Sequence, residues 1–132
     1  MLPFRPKKPR KLGLRAVFVA LTLVVGCGGE ERTRLERARD LVEDNGGFGT
    51  ALESGETFAH VGELLLETGR ECTSPCPAVL QASAYVQLVA VGVLECTQPG
   101  IHDARRAVLD HLDDVIASPS STELEPPALP AC

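Results

Sequence analysis

The nineteen residues between Cys76 and Cys96 limit what this chain can fold into more than any other stretch of it. From Ala78 to Leu94 the run is Val, Leu and Ala with one Tyr, interrupted only by Gln81, Ser83, Gln87 and Gly92. Pro77 precedes it, at the first turn, where a helix loses little by lacking an N–H. On a helical wheel Gln81, Gly92 and Glu95 share one narrow stripe with Tyr85 and Leu88, and the rest of the circumference is apolar. A helix of that kind is enclosed on most sides, as at the centre of a bundle. The rival is a transmembrane span. Its 17 residues with two glutamines are marginal for that role, because a bilayer asks for roughly 20 apolar residues.

The same helix decides how the cysteines pair. Cys72, Cys76, Cys96 and Cys132 allow three disulfide pairings. Cys76 and Cys96 flank the helix, 20 residues apart in sequence, which is about 30 Å at the helical rise. Bonded cysteines hold their Cα atoms within about 7 Å, so that pair is excluded. Cys72 lies at the Cys76 end, and Cys72–Cys96 fails with it. Cys72–Cys76 and Cys96–Cys132 remain. The first staples the Thr73-Ser74-Pro75 turn. The second draws residues 118–132 back along the helix, a distance that extended chain at about 3.3 Å per residue covers. Cys72-x-x-x-Cys76 lacks the two-residue spacing of common zinc and thioredoxin-type motifs, and no histidine stands near it.

Three further helices are expected. Leu35, Ala38, Leu41 and Val42 recur at helical spacing between Glu31 and Asp44, with Arg39 and Glu43 placed to pair four apart. Asn45-Gly46-Gly47 stops that helix, and a flexible Gly46-Gly47-Phe48-Gly49-Thr50 connection leads to Ser54 as N-cap. Phe58, Val61, Leu65 and Thr68 line one face of the next helix, which Gly69 ends. Pro99-Gly100 makes a turn into a helix from Ile101 to Ala117. There Ile101, Ala104, Val108, Leu112 and Val115 face inward, and Asp103, Arg106, Asp110, Asp113 and Asp114 face outward. After Pro119 the chain is rich in Ser, Pro and acid and reads as irregular. The expected fold class is all-α: a small antiparallel four-helix bundle over 31–117, disulfide-stapled, with an irregular C-terminal tail over 118–132.

The beginning of the chain reads as an address. Arg5, Lys7, Lys8, Arg10, Lys11 and Arg15 form a basic head without an acid, and Ala16 to Val25 is apolar apart from Thr22. A basic region followed by a short apolar stretch is the pattern of an export signal. Val24-Val25-Gly26-Cys27 then resembles the lipobox of bacterial prolipoproteins. The resemblance covers about the first 30 residues. It implies that residues 1–26 are a lipoprotein signal peptide cut before Cys27, and that the Cys27 thiol carries diacylglycerol, with palmitate among its acyl chains. Residues 27–30 would then be a lipidated tether. The chain would be an exported lipoprotein on the cell membrane or outer membrane, with disulfide bonds suited to an oxidising space.

Beyond Cys27 the charge balance changes sign. That segment holds seven arginines, no lysine and all 18 acids, a formal charge of −11. So acidic a surface repels nucleic acid and anionic headgroups. Phe48, Phe58 and Tyr85 are the segment's aromatic residues, too few for the stacking by which single strands are held; no nucleic acid partner is expected. Gly-x-Ser-x-Gly and His-Glu-x-x-His are absent, and the glycine-rich 46–50 loop lacks a phosphate-binding lysine.

His60 and His111 flank apolar helix faces as rim or satisfied core residues. His102 beside Asp103 could orient a base, but no partnered nucleophile is identifiable. Arg32, Arg34, Arg37 and Arg39 cluster near the tether, interleaved with Glu30, Glu31, Glu36 and Asp40. Asp103, Asp110, Asp113 and Asp114 lack the loop geometry of a calcium site. These residues lead to a lipid-anchored extracytoplasmic binding or accessory module, without catalytic residues, cofactor or metal, held to the membrane through Cys27 and open to a protein partner. The alternative is a small enzyme or cation-binding protein using His102, Asp103, His111 and the aspartates of the last helix.

Overall fold

The computed structural model describes residues 19–44 and 46–132, with side chains from residue 29 onward. Four α-helices follow one another: α1 (Val19–Glu43), α2 (Ala51–Arg70), α3 (Pro77–Gly92) and α4 (Gln98–Ala117), with a 3-10 turn at Val93–Glu95. Among the described residues there is no strand. The described residues form an all-α fold that packs as a bundle, with two cysteine pairs at disulfide distance.

Contacts divide it into two units, Met1–Thr33 and Arg34–Cys132. In the first, α1 passes through Cys27-Gly28-Gly29 without a break, so the stretch expected to be a flexible tether is helical in the full chain. Glycine in a helix costs about 1 kcal/mol relative to Ala but does not end it, and no proline lies between Pro9 and Pro75. Thr33 Oγ1 donates to the Gly29 carbonyl at 2.9 Å, one turn back.

In the second unit α1 contributes Leu35, Ala38 and Val42, all buried. Its C-terminal carbonyls would be orphaned, and Arg105 from α4 meets them. Arg105 Nε donates to Val42 O at 3.0 Å, and Nη2 donates to Glu43 O at 2.9 Å and Asp44 O at 3.1 Å. A cation suits that end of the helix dipole. The same guanidinium lies 4.4 Å from the centre of the Phe48 ring, which meets Phe58 edge-on at 5.2 Å.

The 46–50 connection is pinned, not flexible. Thr57 Oγ1 donates to Gly47 O at 2.8 Å, and Gln98 Nε2 donates to Gly49 O at 2.9 Å. Gly47, at φ +95°, takes the left-handed turn that a side chain would resist. Thr50, rather than Ser54, caps α2: its hydroxyl accepts from Glu53 N at 3.0 Å, while Glu53 Oε1 accepts from Gly49 N at 3.0 Å. This is a capping box shifted back by one residue. Ser54 is buried one turn inside, donating to Thr50 O at 2.7 Å.

α2 and α3 approach along a glycine seam. Gly55, Gly62 and Gly69 recur every seven residues on α2, and Leu94, Gln87 and Leu80 recur every seven on antiparallel α3 and the 3-10 turn that ends it. A Cβ on each glycine would come within 2.7 Å of Leu94, 2.8 Å of Gln87 and 2.6 Å of Leu80, respectively. A side chain would fit there only if its neighbour moved. Ser83 Oγ crosses the seam to donate to Gly62 O at 2.8 Å.

α4 starts three residues earlier than its apolar pattern indicates, because Pro99 and Gly100 lie inside its first turn and Thr97 is the extended cap. The expected turn at Pro99-Gly100 is therefore displaced to Cys96-Thr97. Its inward set, Ile101, Ala104, Val108, Leu112 and Val115, is buried as expected. The chain then returns along α3. Pro119 O accepts from Ala78 N at 3.2 Å, Leu124 packs on the core, and Cys132 reaches Cys96 with Cα atoms 4.9 Å apart. Cys72 and Cys76 have theirs 6.3 Å apart. Both pairs are those that helix length leaves possible.

Candidate functional site

α3 is enclosed on one side only. Val79, Ala82, Val86, Val89 and Val93 are fully buried against the bundle. On the other side no described residue covers Leu88, 57% exposed, or Val91, 68% exposed, while Leu80 and Leu94, which reach the α2 glycines, are partly covered. Gln81, Gly92 and Glu95 of the expected polar stripe are exposed with Leu88, whereas Tyr85 turns inward. An apolar run shows no asymmetry by which to tell its free face from its covered one. By length and composition Pro77–Glu95 could also cross a membrane, and half of that window is buried inside the protein.

The free face of α3 meets α2 in a groove of about 290 Å³, lined by Leu52, Gly55, Glu56, Ala59, Gln87, Ala90, Val91 and Leu94. The glycine seam makes it. Small residues at 55, 59 and 90 leave its floor low, while Leu52 on α2, 66% exposed, and Val91 on α3 stand up at its sides. Exposed leucines scattered singly are ordinary on a protein surface; a contiguous set around a concavity is what marks a contact surface. The signal in the sequence was the seven-residue recurrence of glycine on α2, visible only when set beside α3.

A second hollow, of about 390 Å³, is lined by Asp44, Glu53, Glu56 and His60 with Leu41 and Thr57. Two of its carboxylates are engaged by the loop beneath them: Asp44 Oδ1 accepts from Gly46 N at 3.1 Å and Glu53 Oε1 from Gly49 N at 3.0 Å.

The histidines and aspartates of α4 do not converge. His102 and Asp103 are exposed, and His111, nine residues on, lies on the opposite side of the helix and is buried. Asp113 is paired with Arg39, 2.5 Å from its Nε. The arginines after Cys27 do not form one free basic face either, since Arg34 pairs with Glu71 and Arg39 with Glu43 and Asp113. Cys27 has its backbone in α1, and its side chain lies outside the described residues, as does the basic head of residues 1–18.

His111 departs from the satisfied core residue that its position implied. It meets Tyr85 edge-on at 5.4 Å, and its Nε2 and the Tyr85 hydroxyl are both buried without a hydrogen-bond partner among the described residues. Burial pushes the His111 pKa down, against the opposing pull of Asp114. The native state therefore holds a neutral imidazole, while the unfolded chain takes up a proton near the ordinary pH 6.5. Stability from this residue is fully present above about pH 6.5 and is lost as pH falls below it, at up to about 1.4 kcal/mol per pH unit. Urea midpoints at pH 8 and pH 5 are expected to differ less in His111→Phe than in the parent. An unchanged difference would show that another group carries the acid sensitivity.

Comparison with family models, with curated proteins and with solved structures finds no match to this chain.

Proposed function

We propose that this chain is a prolipoprotein whose acylated Cys27 tethers a helical, disulfide-stapled binding module outside the cytoplasm. The observation that carries the reading is the arithmetic of the cysteines. Cys72–Cys76 and Cys96–Cys132 are matched two by two at bonding distance, which leaves Cys27 as the odd thiol at the end of an apolar stretch behind a basic head. Paired cysteines in a small domain belong to an oxidising compartment, and an odd one calls for its own chemistry. Acylation after Val24-Val25-Gly26 supplies it. The burial of half the α3 window supports a bundle helix in place of a second anchor. The dispersal of His102, Asp103 and His111 supports binding over catalysis, with the groove between α2 and α3 as the contact surface.

Cells fed labelled palmitate test this. The wild-type chain is expected to take up label and to be recovered in the membrane fraction, shortened by its leader. Cys27→Ala is expected to take up none and to keep its leader. Label retained by Cys27→Ala, or an unlabelled wild type, would overturn the proposal.

A further inference from the structure

We infer that the groove between α2 and α3 receives a cationic amphipathic helix from a partner protein. The inference rests on the binding-module reading and goes beyond it in naming the chemistry of the partner. Of the six large hydrophobics exposed among the described residues, Leu52, Leu80, Leu88, Val91 and Leu94 lie on these two helices and the 3-10 turn that ends α3, and Leu129 lies in the tail. Ala84, Leu88 and Val91 on the free face of α3, and Glu95 in the 3-10 turn after it, follow one another at helical spacing, a track of about 16 Å at 1.5 Å per residue. Three turns of a docked helix match that length. Apolar residues of the partner spaced i, i+3, i+4 and i+7 would fill the hollow over Gly55, Ala59 and Ala90.

Charge selects among the possible occupants. Glu56 lines the groove, Glu63 and Glu67 are exposed on α2, and Glu95 is exposed in the 3-10 turn that follows α3. The cation on α2 is Arg70, in its last turn, and α3 has none. The groove is thus an apolar floor with an acidic margin on α2 and Glu95 beyond the end of α3. A second copy would bring the same margin face to face with itself, in a segment whose formal charge is −11. An anionic lipid surface is repelled for the same reason. A helix with leucines on one face and lysines or arginines on its flanks complements both the floor and the margin, and electrostatic complementarity of this kind steers and selects partners.

The experiment uses the intact chain in nanodiscs of zwitterionic phosphatidylcholine, with empty discs subtracted. Three labelled peptides of roughly 18 residues, five turns, are titrated: a Leu/Lys sequence with leucines at helical spacing, the same sequence with Glu for Lys, and a scrambled Leu/Lys sequence. The helical Leu/Lys peptide is expected to bind at least about tenfold more tightly than either other, and Leu52→Gln with Val91→Gln to weaken it by about tenfold or more. Both substituted side chains are more than half exposed, and circular dichroism confirms that the variant folds. Glu56→Gln is expected to weaken binding, and Asp110→Asn, on α4, to leave it unchanged. Equal binding of the three peptides, or indifference to the Leu52 and Val91 substitutions, would overturn the inference. So would a dimer of the chain, or adsorption to anionic vesicles, that the same substitutions abolish. Palmitate labelling is read separately: a labelled chain that fails to discriminate the peptides loses the partner class and keeps the anchor.

Discussion

Replacing Cys96 and Cys132 together by Ser is expected to cost about 3–4 kcal/mol of stability, because their bond closes a loop whose ends are 36 residues apart. The crosslink limits the unfolded chain, and it also keeps the 118–132 segment on the bundle. There Pro119 O meets Ala78 N and Leu124 covers part of the core. For a domain of this size each kcal/mol moves the thermal midpoint by roughly 4–8 °C, so a drop well above 10 °C is anticipated. The matching variant at Cys72 and Cys76, whose separation is 4, closes a far shorter loop and is expected to lose only about 2 kcal/mol. Thermal melts of the two variants side by side check the order. Equal losses would mean that loop closure is not what the longer crosslink contributes.

The second large effect belongs to the glycine seam. Gly55→Val is expected to destabilise by about 3 kcal/mol, the upper end of the usual overpacking range. At Gly62 and Gly69 the nearest obstacle to a Cβ is the side chain of Gln87 or Leu80, which has somewhere to go. At Gly55 the new Cβ would stand 2.7 Å from Leu94 and also 3.0 Å from the carbonyl oxygen of Ala90, and backbone cannot step aside. The helices would have to separate. Gly92 is the contrast: its backbone is helical, and nothing lies within 4 Å of a Cβ there. Gly92→Ala is expected to gain up to about 1 kcal/mol from helix propensity. Opposite signs at two glycines of similar setting in sequence, read from urea midpoints, would establish that the seam is a matter of space.

How much of this was legible beforehand depends on whether a property belongs to one helix or to two. The inward set of α4 was legible because Ile101, Ala104, Val108, Leu112 and Val115 alternate with charges at helical spacing. The cysteine pairing was legible because the length of one helix forbids the alternatives. Thr50 as cap, with Glu53 three residues on, was written in the sequence but competed with Ser54, which has the same chemistry one turn later.

The exposed face of α3 could not be read, since a run of Val, Leu and Ala looks alike from every side. Neither could the groove, which exists only because small residues on α2 face large ones on α3. His111 shows the same limit: a histidine beside an apolar face can lie at the rim or inside, and here Tyr85 and the burial of Nε2 place it inside. α1 extended through Cys27-Gly28-Gly29 because glycines weaken a helix without interrupting it.

The proposal that the bundle is exported and lipid-tethered is tested most directly by weighing the chain. Chain purified from its own membranes should give an intact mass corresponding to a start at Cys27, increased by diacylglycerol and diminished by the four hydrogens that two disulfides remove. Reduction should restore those four and leave the lipid in place. A mass equal to the unmodified sequence from Met1, unchanged by reductant, would contradict the anchor, the compartment and the crosslinks together.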